Sequence, residues 1–518
     1  MNMGWVLLLV NWLVEAFVEG DWHNRWQRAK QSRLLQAFVL LYALHIAGLL
    51  WSGDMAYALD DLRKKLPMVV LPMVLLTSRP LADKERKLVF AVYLAAVTVV
   101  SAIGFVRWLT IPDLPHRHIV PFISHIRFSL NLCFCICLLI YSVAQRNQRN
   151  TESEQPTAHA HLKLETKNLE PNRCASLLKL KTNNLKLLLA LWMLFFLVLL
   201  QSFTGIIALC FAALAMLVAG WSALNKTTRR LLLAAWVAVV CAALGLTSVY
   251  VADYYRLKPP SSLQPRQELT ANGRPYTHMD DGFVESGNYL NNYVCDAELR
   301  SAWASVSDIP LDSLTPNGYP VYPALLRYLN AMGCTKDSLG ASQLTPADIE
   351  AIVSGVANPV YLKRVSLRRM CYVMCYEFES YRCYRRVVDF TMLQRFELWR
   401  AGWNVFRQHP LFGVGTGDVV DECHAWLDAS GSPLAGTTKH THCQYLTLLI
   451  TFGLAGFLLI AIAFARAFAR RRHHSAPLLA ALLTIVLVSF LTEDILETLA
   501  GCMFAIFPML LLWEEEKS

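Results

Sequence analysis

The sequence predicts an all-α protein that crosses a membrane about eleven times. The 518-residue chain is 55% hydrophobic and only 17% charged, and its mean hydropathy is +0.35, whereas soluble proteins carry about 25% charged residues. It also contains long apolar runs with few charges, which is the pattern of membrane-spanning helices. No segment alternates polar and apolar residues as a membrane β-barrel requires. Helices are favoured because they satisfy every backbone polar group inside lipid.

Eleven apolar runs carry this prediction. They cover residues 4–18, 34–52, 66–77, 88–109, 128–145, 187–201, 203–221, 231–252, 444–466, 477–492 and 498–513. Several are short, and the run at 66–77 is short enough to cross only half of a bilayer, since a full crossing takes about 20 residues.

Basic residues predict the orientation, because cytoplasmic loops are enriched in Lys and Arg. Five basic clusters fall on one side if the runs alternate: residues 25–33, 84–87, 146–186, 226–230 and 466–472. The 146–186 segment alone holds eight Lys or Arg against four Glu. The net charge of +9 is therefore explained by topology and does not indicate nucleic-acid binding. The amino terminus then lies outside and the carboxyl terminus inside.

Three domains follow from this pattern. Residues 1–252 form an amino-terminal transmembrane bundle of about eight spans, residues 253–442 form a large, mainly helical domain on the outer side, and residues 443–518 form the last transmembrane helices. The outer segment is polar and too long for a structureless loop in a compact protein.

Several outer segments have helical patterns. PALLRYLNAMG (323–333) has helical spacing, and TPADIEAIVSGVA (345–357) begins with Thr345 and Asp348 at capping-box spacing. Residues 391–408 combine an apolar stripe with arginines beside it, which predicts an amphipathic helix on the membrane surface.

The cysteines leave their pairing open. Seven of the 14 fall in or beside the outer segment: Cys295, Cys334, Cys371, Cys375, Cys383, Cys423 and Cys443. Some are expected to pair if that side is oxidising, with a connectivity that the sequence does not specify. Two matching CxxC pairs are absent from the sequence, so no zinc site is predicted.

Histidines and arginines mark the outer boundary of two runs. KHTHC (439–443) places His440 and His442 where one run begins, and HIRFSL (125–130) places Arg127 one turn into another; few carboxylates stand near them in the sequence. Guanidinium groups bind phosphates bidentately, and a neutral imidazole can take a proton from a hydroxyl. This combination favours glycosyl transfer from a polyprenyl-diphosphate sugar, with arginine rather than a metal stabilising the leaving diphosphate.

The stretch HPLFGVGTGD (409–418) is a glycine-rich turn. It lacks the Lys-Ser/Thr of a phosphate-binding P-loop. Gly413, Gly415 and Gly417 are therefore expected to shape a cavity wall, and close backbone approach to a ligand stays open as a second role.

Three motifs together resemble the O-antigen ligase and polymerase superfamily. They are RFELW (395–399), the glycine turn, and HCQYLTLLITFGLAG (442–456). The phrases HIRFSL, PVYPALLRYLNAMG and LTPADIEAIVSGVAN resemble the Bacteroidetes-type members. The resemblance implies an inner-membrane glycosyltransferase of the GT-C type that uses an undecaprenyl-diphosphate-linked glycan without metal or cofactor. Members usually have about twelve spans with both ends inside, so an upstream helix is expected.

The resemblance also implies residue roles. His442 matches the histidine proposed to deprotonate the acceptor, and Arg395 matches an arginine expected to bind the diphosphate. Arg127 matches a second such arginine less closely, and Arg400 is a further candidate. The family Asn after the histidine is Cys443 here, and His440 stands where close relatives carry Arg. Either His440 shares the base role, or activity is reduced.

Several functions fit these residues. A ligase transfers the glycan to a lipid A-core sugar, a polymerase transfers it to another lipid-linked repeat, and a related enzyme transfers it to a protein hydroxyl. A lipid-linked-glycan flippase or another transporter is a different class, and it is disfavoured because the 391–456 pattern has no second copy in the chain. The partners expected are the donor, the acceptor glycan and membrane lipids.

Overall fold

The computed structural model describes residues 2–112, 114–154, 170–387, 390–437, 439–469 and 476–513. They divide into two compact units. The bundle unit comprises Met1–Ala234 and Leu398–Ser518, and the insert unit comprises Ala235–Glu397. The boundaries between the two compact units therefore lie after residues 234 and 397. The predicted domain boundaries at 252 and 442 concern the membrane and stay predictions.

Ten helices precede the polar part of the insert unit, and ten more follow in the described chain. The first ten are α1 (Asn2–Glu19), α2 (Trp22–Gln31), α3 (Arg33–Ala47), α4 (Met55–Lys65), α5 (Pro67–Thr77), α6 (Asp83–Thr110), α7 (His125–Glu154), α8 (Glu170–Leu199), α9 (Phe203–Ala219) and α10 (Lys226–Tyr255). The others are α11 (Asp296–Val306), α12 (Val321–Met332), α13 (Ser338–Ala341), α14 (Pro346–Val353), α15 (Leu367–Tyr384), α16 (Thr391–Gln408), α17 (Val419–Ala429), α18 (Gln444–Phe468), α19 (Ala476–Ser489) and α20 (Leu499–Leu512).

Each of the eleven apolar runs forms a helix. Six helices in the described chain are long and apolar enough to cross a membrane: Arg33–Trp51, Asp83–Thr110, His125–Arg146, Thr182–Leu199, Lys226–Tyr255 and Gln444–Phe468. Helices α9, α19 and α20 are apolar but shorter. The all-α, multi-pass membrane fold is thus confirmed, while the number of crossings and the GT-C arrangement stay predictions. Residues 155–169 of the predicted basic loop and Arg470–Arg472 lie outside the described residues.

Small residues let the bundle helices pack closely. Gly205, Ala208 and Ala212 on α9 are buried, and α9 packs along α19. Small side chains allow helix backbones to approach each other, which gives van der Waals contact where lipid offers no hydrophobic driving force.

Helix α18 is broken at Gly453, and the glycine turn fills the break. Gly453 has φ +63° and ψ −172°, which is not helical. The N–H groups of Leu454 and Ala455 donate to the carbonyls of Pro410 (2.8 Å) and Leu411 (3.2 Å). In return, Val414 N–H donates to Ile450 O at 2.8 Å. The backbone groups freed by the break are satisfied by the turn, as an apolar environment requires.

The insert unit has its own core. Trp303, Leu325, Tyr328 and Ile352 are fully buried, and β1 (Val284–Glu285) pairs antiparallel with β2 (Asn288–Tyr289) beside them. The two short helices predicted here are confirmed. Helix α12 ends at Gly333, which has φ +78°.

Helix α14 begins with the predicted capping box of Thr345 and Asp348. It ends at Val353 rather than Ala357, since Gly355 takes φ +97°.

The cysteines expected to pair do not do so. All seven of the outer-segment cysteines are free thiols. Cys371 and Cys375 lie one turn apart on α15, as predicted, and both are buried.

Candidate active site

The residues Thr441–Gln444 are held by the loop between α19 and α20. This acidic loop (residues 490–498, FLTEDILET) surrounds the start of α18. Gln444 N–H donates to Phe490 O at 2.9 Å, and Gln444 Oε1 accepts from Leu496 N–H at 2.7 Å. The entry to α18 is therefore tied to the acidic loop by both the backbone and the side chain of Gln444.

His442 is anchored through its backbone to Asp494. Its N–H donates to Asp494 Oδ2 at 2.6 Å, while Thr447 Oγ1 donates to Asp494 Oδ1 at 2.9 Å. His442 has φ +51°, a left-handed conformation that is uncommon for a residue with a side chain. Such conformations persist where surrounding contacts over-determine them, and they cluster at active sites. Asp494 supplies such a contact.

A buried lysine bridges two carboxylates near the segment Thr441–Gln444. Lys65 Nζ lies 2.7 Å from Asp61 Oδ2 and 2.7 Å from Glu497 Oε2, and all three side chains are buried. Gln444 Nε2 also donates to Glu497 Oε1 at 3.0 Å. Burial opposes ionisation of Glu497, but the Lys65 ammonium outweighs it and lowers the Glu497 pKa to about 2. This ion-paired network joins α4 to the acidic loop and to the first turn of α18.

Burial sets the charge states of two neighbours. It raises the pKa of Asp494 to about 7, assisted by the Glu497 charge. It also lowers the pKa of His440, against the opposing charge of Glu497, and the Lys64 and Lys65 charges add to the lowering. His440 is thus neutral at pH 7, the state in which an imidazole accepts a proton. Its ring lies 6.4 Å from that of Tyr57 on α4.

The glycine turn is clamped to residues 45–54. The Asp418 carboxylate accepts N–H bonds from Gly53 (2.7 and 2.9 Å) and Asp54 (2.8 Å). A Cβ at Gly415 would lie 2.7 Å from Gly48 O, and one at Gly417 would meet Asp54 O. Gly413 has φ +70° and packs on the backbone of α18. The three glycines are thus needed for backbone-to-backbone contact, and their cavity-shaping role stays a prediction.

Arg127 lies in the first turn of α7, and its Nε is buried without a hydrogen-bond partner. Among the residues that the structure describes, no carboxylate forms an ion pair with it. Two links connect its surroundings to the acidic loop: Ser129 Oγ contacts Ser202 Oγ (2.9 Å), and Thr204 Oγ1 contacts Thr492 Oγ1 (2.9 Å). The start of α7 and the segment of His442 therefore belong to one hydrogen-bonded end of the bundle unit.

The other predicted arginines are divided between the units. Arg400 belongs to the bundle unit, where its guanidinium lies 5.4 Å from the Trp426 ring on α17. Arg395 belongs to the insert unit. There, burial raises the pKa of Glu377 to about 7 against the opposing charge of Arg395.

The sequence-based expectation of few carboxylates near the histidines is wrong. Asp61, Glu493 and Asp494 are buried in the segments that meet around residues 440–444, and the Glu497 side chain is buried there too. They were missed because they are far away along the chain. One signal was available, namely the acidic residues in the short gap between the last two apolar runs. Across the described residues, no group of three or more His, Cys, Asp or Glu is arranged to hold a metal ion.

The segments that meet here share one predicted side of the membrane. Residues 53–65, 125–129, 202–204, 439–444 and 492–497 all lie between runs or at their outer ends when the runs alternate. Their convergence agrees with the alternation of the runs, while the outward orientation stays a prediction.

Comparison with known families identifies this region. Residues 352–461 match the family model described as O-antigen ligase, a range that includes Arg395, the glycine turn and His442. Comparison with curated proteins found no significant match. The predicted resemblance is confirmed for this part of the chain: residues 352–461 form an O-antigen ligase domain.

Proposed function

We propose that this protein transfers a glycan from undecaprenyl diphosphate to a sugar hydroxyl of a lipid A-core acceptor, at the outer face of the inner membrane. The O-antigen ligase domain at residues 352–461 supports ligase- or polymerase-type glycosyl transfer in general. The observation that carries the finer proposal is His442. It lies within the matched domain, where an apolar helix begins, and its strained backbone is anchored to the buried Asp494.

The reaction needs a base and a stabilised leaving group. The acceptor hydroxyl attacks the anomeric carbon of the donor sugar, and its proton passes to the His442 imidazole. The bond between the anomeric carbon and the diphosphate oxygen breaks, and the diphosphate leaves with the bonding electrons. Positioning the hydroxyl against the His442 imidazole lowers the barrier, because the reacting groups are brought together before the proton is transferred.

Arg127 is suited to the leaving diphosphate. Its Nε is buried and has no hydrogen-bond partner. An anion could therefore accept a hydrogen bond from this N–H without breaking an existing one. Charge-assisted bonds from guanidinium to phosphate strengthen as negative charge develops. Arg395 and Arg400 are proposed to contribute further positive charge to the diphosphate.

The replacement of the family Asn by Cys443 is compatible with this role. Asn is a good hydrogen-bond partner for an imidazole and Cys is a poor one. In this chain, however, the position of His442 is fixed through its own backbone N–H and Asp494. His440, which is neutral and half-buried beside Tyr57, is proposed to assist by relaying the proton from His442.

The acceptor is tested directly with the wild-type protein in nanodiscs. An undecaprenyl-diphosphate glycan is supplied with lipid A-core, with a second lipid-linked repeat, or with a Ser/Thr peptide, each with and without EDTA. The proposal predicts glycosylated lipid A-core that is insensitive to EDTA. Lengthening of the lipid-linked glycan instead would identify a polymerase, and a labelled peptide would identify a protein-glycosylating enzyme.

A further inference from the structure

The insert unit contains a cavity of about 500 Å³ at the carboxyl end of α10. Tyr250, Asp253 and Tyr254 line it from that helix, and the segments around Lys258, Asn358 and Lys363 form other walls. All of the lining residues belong to the insert unit. Helix α10 is long and apolar enough to cross a membrane. The cavity therefore opens where the chain leaves its apolar span, and its size is within the range of small-ligand sites, about 300–1,000 Å³.

The cavity carries an excess of positive charge. Three cationic residues line it (Lys258, Lys363 and Arg368) against one carboxylate, Asp253. Asp253 is already shared, since its oxygens lie 2.7 Å from Lys258 Nζ and 3.2 Å from Arg368 Nη2. Lys363 is exposed and forms no ion pair with any residue that the structure describes. An anionic group that enters the cavity could therefore pair with the Lys363 ammonium without breaking an existing ion pair.

The remaining walls are aromatic and polar. Tyr254 and Tyr372 are buried and pack 5.8 Å apart between ring centroids. Tyr372 and Asn358 are fixed by hydrogen bonds to Glu285, which is fully buried and ion-paired to Arg327 at 3.0 Å. A network of this kind holds the wall in one arrangement before a ligand arrives. Tyrosine rings present apolar faces beside polar groups, which suits a ligand with both C–H faces and hydroxyls.

We propose that this cavity binds an anionic sugar, that is, a phosphorylated or carboxylated saccharide residue. Lys363 and the cations around Asp253 would hold the anionic group, and the tyrosines and Asn358 would hold the ring. That this sugar is part of the glycan acceptor or donor rests on the proposed function, whereas the binding itself does not. The anionic group has two sources, a glycan residue or a phospholipid headgroup, and the test separates them.

Binding is measured without any transfer reaction. The full chain in phosphatidylcholine nanodiscs is titrated with N-acetylglucosamine 1-phosphate, N-acetylglucosamine and inorganic phosphate, followed by microscale thermophoresis. The sugar phosphate is expected to bind most tightly of the three. Lys363→Gln is expected to weaken its binding about tenfold, because a hydrogen bond to a charged group is lost. Arg274→Gln, which removes an exposed cation elsewhere in the insert unit, is the matched control and is expected to leave the affinity unchanged.

The outcomes distinguish the sources. Sugar-phosphate binding that persists in nanodiscs containing phosphatidylglycerol supports a glycan ligand. Binding of phosphatidylglycerol with no binding of the sugar phosphate would overturn the proposal, as would equal effects of the Lys363 and Arg274 variants. Since no donor or acceptor is turned over, a failed transfer assay with intact sugar-phosphate binding counts against the proposed function alone.

Discussion

Lys65 is the residue on which the buried polar network depends. Replacing it with Met leaves the Asp61 and Glu497 carboxylates buried together without a cation, so Lys65→Met is expected to lower the free energy of unfolding by about 3–5 kcal/mol at pH 7. The neighbouring Lys64 also pairs with a carboxylate four residues earlier, Asp60 at 2.7 Å, but on the surface. Lys64→Met is expected to cost under about 1 kcal/mol. Denaturant unfolding in detergent compares the two variants, and equal losses would contradict a special role for Lys65.

The same network predicts that the folded protein loses stability in acid. The Glu497 pKa is lowered to about 2 in the folded protein, whereas a free Glu has a pKa of about 4.3. A lowered carboxyl pKa contributes stability above the unfolded pKa, and that stability is lost as pH falls toward the folded value. The melting temperature of the wild type is therefore expected to fall between about pH 4 and pH 2. Glu497→Gln should flatten this decline, and an unchanged slope would show that Glu497 is not ion-paired.

Asp494 is predicted to act as a positioning residue for His442. Asp494→Asn replaces the carboxyl group that accepts the His442 N–H with an amide, so kcat is expected to drop about tenfold or more with a smaller change in KM. The ionisation of Asp494 also makes the free energy of unfolding depend on pH. Because the Asp494 pKa is raised to about 7, its contribution is present below the unfolded pKa and lost as pH rises through 7. Asn should remove that loss, and a variant with unchanged kcat would refute the positioning role.

At the scale of single residues, the sequence identifies candidate functional side chains better than it identifies the residues that they contact in the fold. His442, His440 and Arg127 stand out because ionisable side chains are costly where an apolar run begins. Lys65 and Asp494 were not singled out, because their meaning depends on contacts with residues tens to hundreds of positions away. No local pattern encodes such a pairing.

At the scale of elements, the break in α18 makes the most direct prediction. Gly453 has φ +63°, and a Cβ there would collide with the backbone of Leu411, so Gly453→Ala is expected to prevent correct assembly of α18 and the glycine turn. Gly431 has nearly the same φ, +62°, with nothing near its Cβ position. Gly431→Ala should therefore cost only the left-handed backbone penalty, about 1–2 kcal/mol. Yields of folded protein by size-exclusion chromatography compare the pair, and similar yields would contradict the packing account.

The helices themselves were largely predictable, and the break was not. Apolar runs of about 20 residues and capping patterns identify helices from local sequence alone. The run 444–466 reads as one uninterrupted span, because glycines are common in membrane helices. What opens the helix is the insertion of residues 410–415, a contact that only the folded chain reveals.

At the scale of the whole molecule, the orientation in the membrane is testable by labelling. The topology predicts that residues 253–442 face outward and that the 226–230 cluster faces the cytoplasm. Asp308→Cys and Thr227→Cys place thiols at exposed positions in these two segments. An impermeant maleimide added to spheroplasts is expected to label the first above the wild-type level, and the second only after permeabilisation. The reverse pattern would invert the topology and remove the outer face as the site of transfer.

The most direct test of the central claim is glycan transfer to lipid A-core by His442→Ala, in membranes and with expression levels matched. Arg127→Ala and His440→Ala are measured beside it, and Arg274→Gln serves as a control far from the proposed chemistry in sequence. General-base catalysis contributes about 10²–10⁴-fold, so His442→Ala is expected to lose at least about 100-fold in rate. Arg127→Ala is expected to show a comparable defect, and His440→Ala a smaller one. Transfer by His442→Ala at the wild-type rate would contradict the assignment of His442 as the base.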